Sequence, residues 1–379
     1  MTKNLTFIIV ENGKMGGRQK FLIFYFFVYI IFLGRLLDNL NLTKGLDAMK
    51  TTSLNILNLC VRCYNHCKYC LLSWNGKCLG IEYERSVTYA RKFYDWLKVS
   101  HKDINFTYYF GYSMDHPDLP NAIRFMQETN SPGGEFLQFD GMQKRTREEL
   151  DALFTSIADL GVKLIDFTFY GTKEYHDKFA GRKGDFELMM DSMEIALEKG
   201  LNVEVGIPIT KENISQIDAL LGQLPQDKIK IFIFTPHSGG RGINLLDAKI
   251  TVDDYEKLSS DAKRYFNRSR NQTPVEWLRG QEPVPQNRIL ALSLLPSNID
   301  FLENQSFEDT LRDLETLDED YYGKIPDFQS MLERYATPED KHLYSKKDLY
   351  LLYRKRYIEE EQISVLDVTD ERFSGSLRY

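Results

Sequence analysis

Four cysteines fall within eleven positions of this 379-residue chain, in the stretch CVRCYNHCKYC at residues 60–70, and only Cys78 lies elsewhere. A disulfide framework would distribute its cysteines along the chain, so this clustering favours metal binding in a reducing compartment. Cys63, Cys67 and Cys70 are spaced C-x3-C-x2-C. Three thiolates on one short loop can each bind one iron of a [4Fe–4S] cluster and leave the fourth iron open to a substrate.

A structural zinc site is the alternative, because Cys60 and Cys78 lie near enough in sequence to complete a set of four ligands. Zinc knuckles and ribbons usually combine two separate Cys-x2-Cys or Cys-x-His units, and this loop has a single Cys-x2-Cys unit. The iron–sulfur interpretation is therefore favoured. Cys60 and Cys78 are then interpreted as packing or bystander thiols, and His66 as a solvated loop residue.

The composition is that of a globular protein, with 42% hydrophobic residues and a formal net charge of −7. The chain has no long basic blocks, so no nucleic-acid partner is expected. Residues 21–34 form an apolar run that is shorter than the roughly 20 residues of a spanning helix. The preferred interpretation is a cytoplasmic protein that starts at Met49, with residues 1–48 an extension outside the native chain. Membrane contact through residues 21–34 and a signal peptide are the alternatives.

Short strand-like runs alternate with longer helical patterns, the order typical of parallel βα units. The predicted strands cover residues 53–59, 105–111, 135–141, 162–169, 201–209 and 229–234. A long helix is predicted at residues 82–99. Another helix begins at a T-x-x-E capping box formed by Thr146 and Glu149, and Gly161 can end it in a left-handed turn.

Six strands with intervening helices predict an α/β fold, specifically a (β/α)6 partial TIM-type barrel with a helical C-terminal extension. In such folds the loops that follow the strands open onto one face, where reactive groups collect. The cysteines directly follow the first strand, so we expect them on that face. The predicted domains are an N-terminal extension at residues 1–48, the barrel at residues 49–248, and a mainly helical extension at residues 249–379.

The cysteine-containing stretch resembles the signature of the radical SAM enzymes, C-x3-C-x-aromatic-C after the first strand of a partial barrel, with Tyr69 at the aromatic position. The resemblance covers roughly residues 53–245. It implies that Cys63, Cys67 and Cys70 hold a [4Fe–4S] cluster and that S-adenosylmethionine (SAM) binds the open iron. It further implies that reduction of the cluster cleaves SAM to a 5′-deoxyadenosyl radical, which abstracts hydrogen from a substrate.

Residues 167–190, FTFYGTKEYHDKFAGRKGDFELMM, resemble the strand-four segment of the branch that includes molybdenum-cofactor, sulfatase-maturing and peptide-modifying members. Thr168 stands where that branch has a serine, and the resemblance implies that its hydroxyl contacts the ribose or carboxylate of SAM. The chain departs from the pattern at two places. Tyr170 replaces the usual aspartate, and Ala180 replaces an arginine.

Relatives of this branch hold the SAM amino group with a Gly-Gly-Glu-like stretch after the second strand. At that place the present chain has FGYSMDHPDL, so the resemblance assigns this role to Gly111, Tyr112 and Ser113. The predicted cofactor-binding residues are therefore these three together with Tyr69 and Thr168. A literal Gly-Gly-Glu at residues 133–135 is interpreted as a turn that opens the third strand.

The expected function is hydrogen abstraction from a peptide or protein side chain, with an external electron donor such as flavodoxin or ferredoxin. A small-molecule metabolite or cofactor precursor is the alternative substrate. A protein that binds the cluster or SAM without catalysis is a further alternative. Residues 79–379 contain no cysteine, so a single cluster is expected. The catalytic residue that completes the reaction is not identifiable from the sequence.

Overall fold

The six predicted strands form the framework of the protein in a computed structural model, which describes residues 50–70, 78–101, 103–111, 114–280, 287–364 and 375–376. They are β1 (Lys50–Leu57), β2 (Asn105–Tyr109), β3 (Phe136–Gln138), β4 (Leu164–Thr168), β5 (Asn202–Pro208) and β6 (Lys230–Phe234). β1 pairs with β2, and β3 to β6 pair in sequence order, always in parallel. This confirms the predicted parallel α/β class. Within the described residues, β2 and β3 are not paired, so the sheet does not close into a full barrel.

Helices connect these strands as predicted. They are α1 (Tyr83–Ser100), α2 (Leu119–Glu128), α3 (Arg147–Asp159), α4 (Lys173–Ala180), α5 (Asp185–Glu198) and α6 (Ile217–Leu221). The Thr146 hydroxyl accepts a hydrogen bond from the Glu149 amide while the Glu149 carboxylate bonds back, which confirms the capping box of α3. Gly161 follows α3 with a φ of +81°, a left-handed conformation that costs glycine little.

The two sides of the sheet β3–β6 differ in chemistry because side chains alternate along a strand. On one side, Ile165, Phe167 and Val205 are buried in the main hydrophobic core. Phe167 contacts Phe139, which stacks against Phe154 of α3, so this side faces the helices. The opposite side, here called the polar face, carries Gln138, Asp166, Glu204 and Lys230 at matching register positions.

The region after residue 249 is mostly helical. Its helices are α7 (Val252–Glu256), α8 (Ser260–Tyr265), α9 (Pro274–Arg279), α10 (Ile299–Glu303), α11 (Phe307–Lys324), α12 (Phe328–Tyr335) and α13 (Lys346–Glu360). Its short strands β7 (Asn271–Gln272) and β9 (Tyr344–Ser345) pair with each other. Trp277, Tyr321, Phe328 and Leu349 belong to a second hydrophobic cluster in this region.

One strand of this region was not predicted. β8 (Asn287–Ser293) pairs in parallel with β1, on the edge opposite β2, and β10 (Gly375–Ser376) pairs antiparallel with β8. The region at residues 249–379 is thus not only a helical extension, because it also completes the sheet beside the first strand. Arg288 of β8 is buried, and its Nε donates to Asp318 of α11 at 2.7 Å.

The described helices include none that is both long and apolar enough to cross a membrane. The apolar run at residues 21–34 and Met49 lie outside the described residues, so the expectations about the N-terminal extension stay predictions.

Candidate cluster and cofactor site

The cysteine loop (residues 60–70) follows β1 and is fixed by backbone hydrogen bonds to segments after β3, β4 and β6. The bonds run from Tyr64 N to Gly141 O (2.7 Å), His66 N to Ala180 O (2.7 Å), Lys68 N to Phe179 O (3.1 Å) and Arg241 N to Cys70 O (2.9 Å). Loops after parallel strands meet at one end of a sheet, and these bonds place the cysteine loop at that end.

A buried polar anchor holds the middle of the cysteine loop. The Asn65 amide donates to Asp185 Oδ2 at 3.0 Å, and Asp185 also receives a hydrogen bond from Arg182 Nε at 2.9 Å. Burial opposes ionisation of Asp185, but the hydrogen bond of His176 and the charge of Arg182 outweigh it, so the pKa of this carboxyl is lowered. An ionised Asp185 therefore ties the loop to the start of α5.

The three predicted cluster ligands share this loop, and their thiols lie within electrostatic reach of one another. Burial is the main reason that the pKa of Cys63 rises to about 12, with a further contribution from Cys70. Burial likewise raises the pKa of Cys67, and Cys63 and Cys70 add to the effect. Thiolates held so close together need positive charge to balance them, which bound iron would provide.

Among the residues that the structure describes, no three His, Cys, Asp or Glu side chains are grouped tightly enough to hold a metal ion. The donor set nevertheless fits a [4Fe–4S] cluster, because three soft thiols project from a single anchored loop.

Gly141, directly after β3, approaches the cysteine loop so closely that only glycine fits. A Cβ atom there would lie 2.1 Å from Cys63 Sγ, and the residue has a φ of +61°. The sequence places Gly141 at the end of the third strand and gives no sign of its contact with Cys63. The structure shows that it sets the space around the first predicted ligand.

We expect Gly141→Ala to lower the iron content of the reconstituted protein severalfold, because the added methyl group displaces Cys63. The left-handed backbone should in addition cost about 1–2 kcal/mol of stability. Gly200→Ala is the matched control, since Gly200 has a φ of +75° with no atom within 4 Å of the added Cβ. Iron analysis and urea unfolding separate the two effects. Equal iron content in both variants would contradict the steric argument.

Tyr69, the aromatic residue of the signature, is enclosed by other rings. Its ring centre lies 5.5 Å from that of Tyr170, 5.9 Å from that of Phe179 and 5.2 Å from that of His237. Burial, followed by the nearby Asp140 carboxyl, raises the pKa of Tyr69 well above its ordinary value. The Tyr69 side chain is thus an uncharged aromatic group that lies beside the cysteines.

Two polar side chains at the site, Tyr170 and Asp140, had no role assigned from the sequence, and Tyr170 is one of the two departures from the family pattern. The Tyr170 hydroxyl donates to Cys67 Sγ at 3.2 Å, so this residue acts directly on a predicted ligand. Asp140, after β3, accepts a hydrogen bond from the Thr168 hydroxyl at 3.2 Å. Burial, then the carboxyls of Asp166 and Asp185, raise the pKa of Asp140 well above its ordinary value. Its position after a strand end was the available signal.

The predicted cofactor-binding residues are distributed as follows. Tyr69 and Thr168 lie in one neighbourhood, since both adjoin Asp140. Gly111 follows β2 with a φ of +130°, and a Cβ there would meet only the side chain of Val61 at 3.8 Å. Tyr112 and Ser113 lie outside the described residues, so their roles stay predictions.

The other two cysteines, Cys60 and Cys78, have different surroundings from the three predicted ligands. The Cys60 thiol is oriented toward the Phe110 carbonyl at 3.8 Å, and burial raises its pKa to about 12. Cys78 is exposed. His66, between two predicted ligands, is exposed as well. His66 is thus an exposed loop residue, as predicted, and the interpretation of Cys60 and Cys78 as packing or bystander thiols stays a prediction.

Together, the fold and site define an α/β protein with a three-cysteine loop at the carboxyl ends of parallel strands. Residues 57–224 match the family model described as the radical SAM superfamily. The chain therefore contains a radical SAM domain at residues 57–224, and the superfamily predicted from the cysteine signature is confirmed. Proteins of this superfamily are SAM-cleaving enzymes that bind a [4Fe–4S] cluster, so the cluster and SAM are the cofactors of this domain.

Individual relatives are distant. Fe-coproporphyrin III synthase of Methanosarcina barkeri (strain Fusaro / DSM 804) is 25% identical over 99 residues, which is 26% of this chain and 25% of that protein. The chain thus matches about a quarter of the length of this curated relative.

Solved structures that resemble this one include Streptococcus suis SuiB bound to S-adenosylmethionine, with a TM-score of 0.44, 14% identity and 76% coverage of both chains. Native anSMEcpe with bound AdoMet has a TM-score of 0.38 at 14% identity, covering 56% of this chain and 60% of that one. At these scores the likeness says nothing about a shared substrate.

Proposed function

We propose that this protein is a radical SAM enzyme that abstracts hydrogen from a peptide or protein side chain, with Cys63, Cys67 and Cys70 as the ligands of its [4Fe–4S] cluster. The observation that carries the proposal is the placement of these three thiols on one anchored loop inside a radical SAM domain. Cluster and SAM, when bound, supply a 5′-deoxyadenosyl radical that takes a hydrogen atom from the substrate.

The protein's own residues would orient and enclose these cofactors. Tyr69, packed against the Tyr170 ring, would line one side of the cluster. The Thr168 hydroxyl, which now donates to Asp140, is available to contact SAM. We assign a backbone carbonyl contact with SAM to Gly111, which has room around its Cα, and further contacts to Tyr112 and Ser113, which follow it in sequence. We assign the electron to an external donor such as flavodoxin or ferredoxin.

A peptide substrate is supported by the resemblance of residues 167–190 to the branch with peptide-modifying members. A small molecule is the second candidate, and the observation in its favour is the partial match to a relative named Fe-coproporphyrin III synthase. The match covers too little of either chain to transfer that activity.

The test uses protein expressed from Met49, reconstituted without oxygen, reduced with dithionite and supplied with SAM. We expect 5′-deoxyadenosine by mass spectrometry, with a rate that rises when peptide pools are added. A rise with an iron porphyrin but not with any peptide pool would replace the first candidate by the second. Iron analysis must first show about four irons per chain, as a [4Fe–4S] cluster requires. If such protein forms no deoxyadenosine under any condition, the catalytic proposal is rejected.

Tyr170→Phe is expected to make the reduction potential of the cluster more negative by tens of millivolts. A hydrogen bond to a ligand sulfur stabilises the reduced and more negatively charged form, and this variant removes the bond from the Tyr170 hydroxyl to Cys67. Redox titration followed by electron paramagnetic resonance measures the shift. Tyr175→Phe is the control, because its hydroxyl contacts Glu212 at 3.2 Å instead. Identical potentials in both variants would count against Cys67 as a ligand.

A further inference from the structure

A row of charged and polar side chains crosses the polar face, beneath the cysteine loop. Gln138, Asp166, Glu204 and Lys230 occupy adjacent register positions on β3, β4, β5 and β6. Asp166 precedes Thr168 by two residues on the same face, which separates their Cα atoms by about 6.6 Å along the strand. The row therefore lies one side-chain layer below the candidate cofactor site.

Asp166 has an unfilled hydrogen-bonding position in this row. Its side chain is 7% exposed, and among the described residues no group bonds to its Oδ1 atom. Buried carboxylate oxygens are normally hydrogen-bonded, because burial without a partner costs free energy. An unpartnered buried oxygen on the face below a catalytic site indicates that a ligand supplies the missing donor.

The neighbours of Asp166 do not neutralise it. Lys230 forms an ion pair with Glu204, and the Lys230 side chain is largely exposed. Asp140 follows the end of β3, two residues after Gln138, and adds a further carboxyl to the same side of the sheet. Burial raises the pKa of Asp140, and burial followed by the Glu204 carboxyl raises the pKa of Asp166 to about 7, so the neighbours of Asp166 do not hold it fully ionised.

We propose that Asp166 binds a cationic group of the substrate, the ammonium of a lysine or the guanidinium of an arginine, and so selects basic peptides. A charged N–H donor would satisfy Oδ1 and stabilise the ionised form of Asp166. This inference rests on the proposed peptide function. An ionised porphyrin carboxylate could not donate a hydrogen bond to Oδ1, so this position favours a basic side chain over a carboxylate.

The experiment measures binding separately from turnover. The full chain, loaded with the cluster but not reduced, is mixed with SAM and dialysed against pools of short random peptides. The pools differ only in a fixed central residue, which is lysine, arginine, glutamine or glutamate. We expect the lysine or arginine pool to be retained at least about tenfold better than the glutamine pool. Asp166→Asn should abolish this preference, and Asp166→Glu, which keeps the charge, should retain most of it.

Glu135→Gln is the matched control, because it removes one carboxylate from an exposed pair with Lys163 at the opposite end of β3. It should keep the preference for basic peptides. Equal retention of basic and neutral pools by the wild-type chain, or an unchanged preference in Asp166→Asn, would overturn the assignment and leave Asp166 a structural side chain. Deoxyadenosine formation after reduction is read in parallel, so a failure of the enzymatic proposal is distinguishable from a failure of Asp166 binding.

Discussion

Cys67→Ala is expected to abolish cluster binding and to reduce 5′-deoxyadenosine formation to background. Cys67 is the central thiol of the loop, and burial together with Cys63 and Cys70 raises its pKa, so bound iron would strongly favour its thiolate form. Loss of residues that merely support a ligand costs 10–100-fold in metal affinity, so loss of a ligand itself should exceed about 100-fold. Iron analysis, the visible absorbance of the cluster and mass spectrometry measure the result.

Cys78→Ala is the control for this prediction, since Cys78 is an exposed thiol outside the predicted ligand set. It should bind iron and cleave SAM as the wild-type chain does. A brown Cys67→Ala protein that still forms deoxyadenosine would refute the ligand assignment. If Cys78→Ala instead loses the cluster, the zinc-like four-cysteine arrangement has to be reconsidered.

The buried ion pair of Lys249 and Asp348 should have the largest effect on stability. Lys249 Nζ lies 2.6 Å from Asp348 Oδ2, and their side chains are 0% and 1% exposed. Removing one member of such a pair leaves a buried charge uncompensated, so we expect Lys249→Met to lower the free energy of unfolding by about 3–5 kcal/mol. Urea unfolding measures the change.

The double variant Lys249→Met/Asp348→Asn tests the reason for this loss. The asparagine oxygen can still accept the hydrogen bond that Ser238 N donates to Asp348, and no charge stays buried. The double variant should therefore be more stable than Lys249→Met alone. Lys163→Met, in an exposed pair with Glu135, should change stability by less than about 1 kcal/mol. If Lys249→Met lowers the free energy of unfolding no more than Lys163→Met does, the buried ion pair is unimportant for stability.

This pair also connects the C-terminal region to the cluster. Asp348, in the first turn of α13, accepts from Ser238, and Arg241 shortly after Ser238 bonds to the Cys70 carbonyl. A loosened α13 should therefore reduce the iron content as well as the stability. The C-terminal region supports the cysteine loop without contributing a cysteine of its own.

The sequence was sufficient for features that depend on local chemistry. All six barrel strands, the capping box of Thr146 and the left-handed Gly161 follow from periodicity and backbone preference within a few neighbouring residues. The turn at residues 133–135 likewise appears as a short 3-10 helix before β3. The position of the cysteine loop followed from the rule that loops after parallel strands share one end of the sheet.

Features that depend on distant partners were not predictable in the same way. The β8 sequence NRILALS is rich in leucine and alanine, which favour helix, and only its pairing with β1 makes it a strand. Tyr170 gains its role from Cys67, which lies far away in sequence. The exclusion of side chains at Gly141 depends on Cys63 in the same way.

The pairing of β1 with β8 has a consequence for the order of events during synthesis. β1 carries the cysteine loop, yet one of its two neighbouring strands leaves the ribosome only after β2 to β6 are complete. Until then one edge of β1 is an open template for pairing with other chains. We therefore expect a chain ending at residue 280 to aggregate, although it contains the whole radical SAM match. Iron–sulfur delivery would accordingly follow release of the finished chain rather than accompany its translation.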